Sequence, residues 1–158
     1  MTGTVVAIHI APKAAVAMVA LQEARAVAGK GIEGDRYFSF AGTFSSKPGP
    51  DREITLIEIE QLEWLKREHG VELTAAASRR NVAVQGVRLN ELVGREFSIG
   101  GVTVKGLRLC EPCGHLEKLS GVGNLKTLFK GRCGMRAQIL TDGVIRIGDT
   151  VSFASVAP

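Results

Sequence analysis

The stretch Glu96-Phe-Ser-Ile-Gly100-Gly101-Val-Thr-Val-Lys-Gly-Leu-Arg-Leu109 constrains the fold more than any other. Apolar and polar residues alternate on both sides of a Gly-Gly pair, the pattern of two strands joined by a tight hairpin. Similar short β-branched runs recur along the chain. Thr4-Val-Val-Ala-Ile-His-Ile10 is punctuated by Pro12, Arg52-Glu-Ile-Thr-Leu-Ile57 reads as a short strand, and Val82-Ala-Val84 alternates. Residues 137–153 read strand, Asp142-Gly143 turn, strand. Short strands at this spacing, with few helices, predict a mainly β fold of barrel type rather than a doubly wound sheet.

One helix is expected. Thr55 followed three residues later by Glu58 resembles a capping box that opens a helix through His69. Ile59, Leu62 and Leu65 share one side, Gly70 is the stop, and the charged face of Glu60, Glu63 and Arg67 reads as solvated. Residues 89–94 suit a helical turn, and residues 124–130 a short basic helix ending at Gly131. Residues 14–28 are ambiguous, because their alanines favour helix while their place before a glycine-rich turn suits a strand. Residues 38–51 combine Ser, Gly, Pro and aromatics, and read as a long surface loop.

At 158 residues and 45% hydrophobic, the chain supports one core, and residues 1–158 read as a single domain. No charged and apolar leader opens it, and no run approaches the roughly 18 apolar residues of a membrane span. The expectation is a cytoplasmic protein with no membrane partner. The net charge of +4 is unevenly placed: residues 79–136 hold eleven Lys/Arg against four acids, a local +7. Such a field attracts a phosphate, a carboxylate or a polyanion. Aromatic residues make up only 5%, which gives few stacking platforms and argues against nucleic acid.

Two motifs offer anion contacts. Gly29-Lys-Gly-Ile-Glu-Gly-Asp-Arg36 is a turn whose amides, with Lys30 and Arg36, suit a phosphate cradle, although Walker spacing is absent and a purely structural turn is the competing reading. Ser78-Arg79-Arg80-Asn81 sets two guanidiniums and a carboxamide at the start of a strand, where alternation sends adjacent side chains to opposite faces. His9, alone in an apolar strand, reads as a packed residue.

The basic segment also holds Cys110-Glu-Pro-Cys113-Gly-His115 and, later, Cys133. An odd count of three cysteines with no export signal disfavours a disulfide framework. A structural zinc site could combine Cys110, Cys113, His115 and Cys133, although the second paired half-site is missing. A thioredoxin-like pair lacks its βαβ context. Cys133 also suits an inert core position. Cys113 is the strongest single nucleophile or metal ligand, because Pro112 fixes its approach, Gly114 removes bulk, and Arg108, His115 and Lys118 favour its thiolate.

The ordered motifs GIEGDR (31–36), ITLIEIEQL (54–62), SRRN (78–81), LNELVGREFSIGGVTVKG (89–106), the Pro-Cys of Cys113, GRCG (131–134) and VIRIGDTV (144–151) resemble MOSC domains of the small stand-alone bacterial type. The resemblance implies a partly open, pyruvate-kinase-barrel-like β-barrel with a few short helices, and extended structure for residues 18–28. It implies a molybdenum cofactor of the molybdopterin type, with Cys113 as molybdenum ligand or persulfide acceptor. The pterin phosphate maps onto Arg80 and Asn81, with Gly34, Asp35 and Arg36 from the glycine-rich turn. Expected partners are a cysteine desulfurase, which would bring pyridoxal phosphate, or an electron-donor protein, and the implied activity is reduction of N-hydroxylated compounds. A non-catalytic module for a phosphorylated ligand and a structural zinc domain are the alternatives. Cys110 is a departure that sets a second thiol beside Cys113.

Overall fold

A computed structural model describes residues 2–13, 16–36, 38, 53–111, 117 and 124–153. Strands β1 (Thr2–Ile10), β2 (Val19–Leu21), β3 (Glu23–Val27), β4 (Gly31–Ile32) and β5 (Ile54–Glu58) precede helix α1 (Ile59–His69). Then come β6 (Val82–Gln85), a 3-10 turn at Leu89–Leu92, β7 (Glu96–Ile99), β8 (Val102–Leu109), a one-turn helix α2 (Leu125–Leu128), β9 (Met135–Ile139), β10 (Gly143–Arg146) and β11 (Thr150–Ser152).

Seven strands form a ring in the order β11-β7-β8-β9-β5-β6-β1, closed by the pairing of β1 with β11, and β2 adds to β1 outside it. The fold is therefore mainly β, as the alternating runs predict. The β7–β8 hairpin turns at Gly100-Gly101, with Ile99 opposite Val102. A second sheet, β10-β3-β4, lies beside the ring. Residues 18–28 are extended, and paired strands override their alanine content. The expected Asp142-Gly143 turn falls one residue early: the chain bends at Thr141, Gly143 already opens β10, β9 and β10 enter different sheets, and Asp142 Oδ1 accepts from Ala28 N at 2.7 Å.

Among the described residues β5 and β6 are the one parallel pair, and α1 carries the chain between them. Alternation then sorts the side chains. Ile54, Leu56, Val82 and Val84 belong to the cluster that fills the ring, whereas Ile57 and Ala83 belong to an outer cluster with Leu62 and Leu65 of α1. Burying each of those leucines contributes about 1.5–3 kcal/mol. Gly70 ends the helix as expected.

The capping box is not formed. Thr55 lies inside β5, its hydroxyl is engaged with Asn81, and the N-cap is Glu58 with no side-chain cap bond. β5 remains extended through Glu58 because residues 54–58 are flanked by β6 and β9 and all five are buried. Among the described residues no helix is long and apolar enough to cross a membrane.

Candidate functional site

Strand register assembles a polar row on the outer face of the ring. Arg108 of β8 lies opposite Arg136 of β9, and Arg136 lies opposite Thr55 of β5. Thr55 is tied to Asn81, which meets His9 of β1. Asn81 is fully buried and sutures three strands. Its Oδ1 accepts from Thr55 N at 3.0 Å and Thr55 Oγ1 at 3.1 Å, while its Nδ2 donates to His9 O at 3.2 Å. His9 N in turn donates to Asn81 O at 2.7 Å. The carboxamide expected to meet a ligand is thus bonded into the barrel.

The turn ahead of β6 and the loop after β4 bring three arginines to this end of β5 and β6. Arg36, Arg79 and Arg80 are buried, as is Asp35. Asp35 Oδ1 accepts from Ala11 N and from Arg36 Nη1, both at 3.0 Å, and Arg36 Nη2 donates to Arg79 O at 3.0 Å. The glycine-rich turn and the arginine turn are therefore directly joined. Gly34 is exposed beside them.

Arg79 adopts φ 62°, so the strand alternation expected of residues 79 and 80 begins only at β6. The two guanidiniums still diverge. Arg79 Nη1 donates to Val16 O, and Arg80 donates from Nε to Cys133 O at 2.9 Å and from Nη2 to Cys133 Sγ at 2.7 Å.

Cys133 is buried with Cys110 in the cluster beneath α1. Gly134 permits this arrangement: at φ +101° a Cβ there would stand 2.0 Å from Leu56 O, so any side chain would force β9 away from β5. Arg132 locks the segment to α1, stacking 3.7 Å above Trp64 and donating to Gln61 Oε1 at 2.8 Å. Cys113 and His115 lie outside the described residues, as does most of the predicted 38–51 loop. Among the described residues no group of three or more His, Cys, Asp or Glu could hold a metal ion.

At the other end of β5 and β6 the polar residues are acidic. Glu60 Oε2 accepts from Gly86 N at 2.7 Å and Glu58 Oε2 from Leu89 N at 3.3 Å, beside a cleft of about 640 Å³ that also includes Arg88 and Glu91. Glu60 is not simply solvated, as the helical pattern suggests; it clamps the chain leaving β6, while Glu63 and Arg67 are exposed. Burial raises the Glu58 carboxyl above its ordinary 4.5, opposed by the Leu89 amide and reinforced by Glu60. Burial likewise raises Glu53, whose Oε1 accepts from Ile139 N, and lowers the His9 imidazole below 6.5.

Sequence reasoning singled out Arg36, Arg80, Asn81 and Asp35, and the fold gathers them. It missed Thr55, whose hydroxyl it assigned to a helix cap, and the pairing of Arg80 with Cys133. The Arg132-Cys133-Gly134 string inside the basic segment was the available signal for that pairing.

A family model described as MOSC domain matches residues 44–152. No curated protein sequence matches the chain. Among solved structures, YuaD of Bacillus subtilis is similar at 19% identity and TM-score 0.79, over 96% of this chain and 94% of that one. YiiM of Escherichia coli is similar at 18% and 0.74, over 99% and 71%, and YiiM of Geobacillus stearothermophilus at 16% and 0.73, over 97% and 75%.

Proposed function

Because this chain belongs to the MOSC domain family, we propose that its buried arginine end receives the phosphate of a molybdopterin-type cofactor, with the sulfur chemistry carried by Cys113. The observation that carries the reading is the joining of two distant turns, 31–36 and 78–81, by Arg36 Nη2 and Arg79 O around three buried guanidiniums. Asp35 offsets the charge of Arg36, whereas the carbonyl bonds of Arg79 and Arg80 satisfy donors without themselves adding a counter-charge; three guanidiniums against one carboxylate favour a phosphate seated there. The residues suit the group: planar, permanently charged forks are fixed before a ligand arrives, and fixed donors lose little entropy on binding.

Asn81 and Thr55 act one step back, holding β1, β5 and β6 in the register that aims the arginines. Asp35 orients Arg36 and anchors the loop to β1. When bound, the molybdenum centre would supply Lewis acidity and redox chemistry, directed in this proposal at N-hydroxylated compounds with electrons from a donor protein. Cys113 would ligate the metal or, in the sulfur-carrier form of the proposal, accept sulfane sulfur from a cysteine desulfurase whose own thiolate is released.

Expression in cells that make the cofactor, followed by assay of molybdenum, zinc and pterin, tests the proposal. Molybdenum and pterin should accompany the wild type, and molybdenum should be lost in Cys113→Ala. Stoichiometric zinc that depends on Cys110 and Cys133 would replace the proposal with a structural metal site. For the sulfur-carrier form, mass spectrometry after incubation with a desulfurase should find the persulfide on Cys113; finding it on Cys110 alone would refute that assignment.

A further inference from the structure

We propose that His9 is a proton-linked member of the anion site, its imidazole neutral in the protein alone and protonated when a tetrahedral anion is seated among Arg36, Arg79 and Arg80. This inference rests on the anion-site reading above and deepens it.

His9 is only 9% exposed, and its Nδ1 is buried without a hydrogen-bond partner among the described residues. Leaving a buried polar atom unsatisfied is costly, whereas its neighbours on the same row, Asn81 and Thr55, are bonded several times over. Ile8 and Ile10 pack toward the ring's interior, so the imidazole lies on the outer face with Asn81. Backbone bonds to Asn81 fix its strand, and two residues on, Ala11 N bonds the same Asp35 oxygen that orients Arg36. The backbone of β1 at His9 and Ala11 is thus bonded directly to both arginine-bearing segments.

The charged groups on the segments next to β1 are Asp35 and Arg36 of the loop after β4 and Arg79 and Arg80 of the turn before β6, with Arg136 and Arg108 further along the row. β5 and β2 contribute Thr55 and Ala20, which do not titrate. Burial lowers the basicity of the imidazole in the protein alone. An anion placed here adds the opposite charge at short range, favours imidazolium, and gives its Nδ1–H an acceptor. Binding then takes up a proton, and by linkage the affinity rises as pH falls.

Isothermal titration of the intact protein with sulfate, a tetrahedral anion of constant charge from about pH 5 to about pH 8, tests this in two buffers of different ionisation enthalpy. The affinity should fall by up to about tenfold per pH unit as pH rises between the free and bound imidazole pKa values, with buffer-dependent heats reporting proton uptake. His9→Asn keeps an amide donor near Nδ1, and its affinity should not vary with pH. In the wild type, the imidazole nitrogen-15 shifts, assigned through the β1 backbone, should move from neutral to charged on adding sulfate. Binding that is independent of pH in the wild type, pH dependence retained in His9→Asn, or an imidazole still neutral with sulfate bound would each overturn the role of His9 and leave the anion site standing. Wild type that binds no sulfate at any pH would overturn the anion site and this inference with it. Should His9→Asn fail to fold, the wild-type nitrogen-15 titration decides alone.

Discussion

Where β5 and β6 lead to Glu58 and Gln85, carboxylates hold backbone amides: Glu60 takes Gly86 N, and Glu58 takes Leu89 N. Where the same strands begin, guanidiniums hold carbonyls and a sulfur: Arg36 takes Arg79 O, Arg79 takes Val16 O, and Arg80 takes Cys133. Both ends use charge to brace a chain reversal. They differ in what the charge can still do. The acidic end sits at the start of α1, where helix-dipole complementarity favours Glu60 and suffices to explain it. Among the described residues no such helix stands behind the basic end, and its guanidiniums are buried at higher cost, which an anionic ligand would offset.

The largest effect should come from the glycines that let each end close. Gly134→Ala sets a Cβ 2.0 Å from Leu56 O at φ +101°, and should cost more than about 4 kcal/mol, leaving most of the protein unfolded in urea titrations. Gly86→Ala meets nothing nearer than 3.4 Å, so its cost should be the backbone strain alone, about 1–2 kcal/mol. Equal costs would show that the close approach of β9 to β5 is not what the arginine end is built on.

Asn81→Ala comes next. It strips Thr55 N of its side-chain acceptor and should cost about 3 kcal/mol, read as a lower urea midpoint. A loss under about 0.5 kcal/mol would mean that the three-strand suture is not what sets the register.

How far these ends were legible in the sequence differs for physical reasons. Arg79-Arg80 is legible as a concentration of positive charge because guanidinium chemistry is carried by residue type and needs no knowledge of the fold. The partner of Arg80 is not, since Cys133 lies 53 residues away and meets it only through β9 pairing with β5. Thr55 misled for a related reason: Thr-x-x-Glu caps a helix when its hydroxyl is free, and here Asn81 of the parallel neighbour claims it. Glu60 read as solvated because helical periodicity reports faces and says nothing of a loop that folds back over the first turn. The β7–β8 hairpin was fully legible because its pairing is local. Ring closure by β1 and β11, at opposite ends of the chain, follows from no local signal.

A smaller effect sharpens the acidic side of the comparison. The folded-state pKa of Glu58 lies above 4.5, so between 4.5 and that value the folded protein keeps a proton that the unfolded chain has released. Its contribution to stability is full below pH 4.5 and is lost as pH rises through the folded value. Glu58→Gln should therefore stabilise modestly at neutral pH, by less than about 1 kcal/mol, and flatten the pH dependence of the urea midpoint in that window. A lower midpoint at neutral pH would show that the ionised carboxylate contributes more through the Leu89 amide than its burial costs.

The most direct test of the central claim is the molybdenum and pterin content of protein purified from cells that make the cofactor, compared between wild type, Arg80→Ala and Glu60→Gln. Cofactor should be present in the wild type, retained in Glu60→Gln, and reduced at least tenfold in Arg80→Ala, since losing one charge-assisted phosphate contact is worth about 1.5–3 kcal/mol. Cofactor retained undiminished in a folded Arg80→Ala protein, or lost equally from Glu60→Gln, would contradict the assignment of the basic end as the phosphate site.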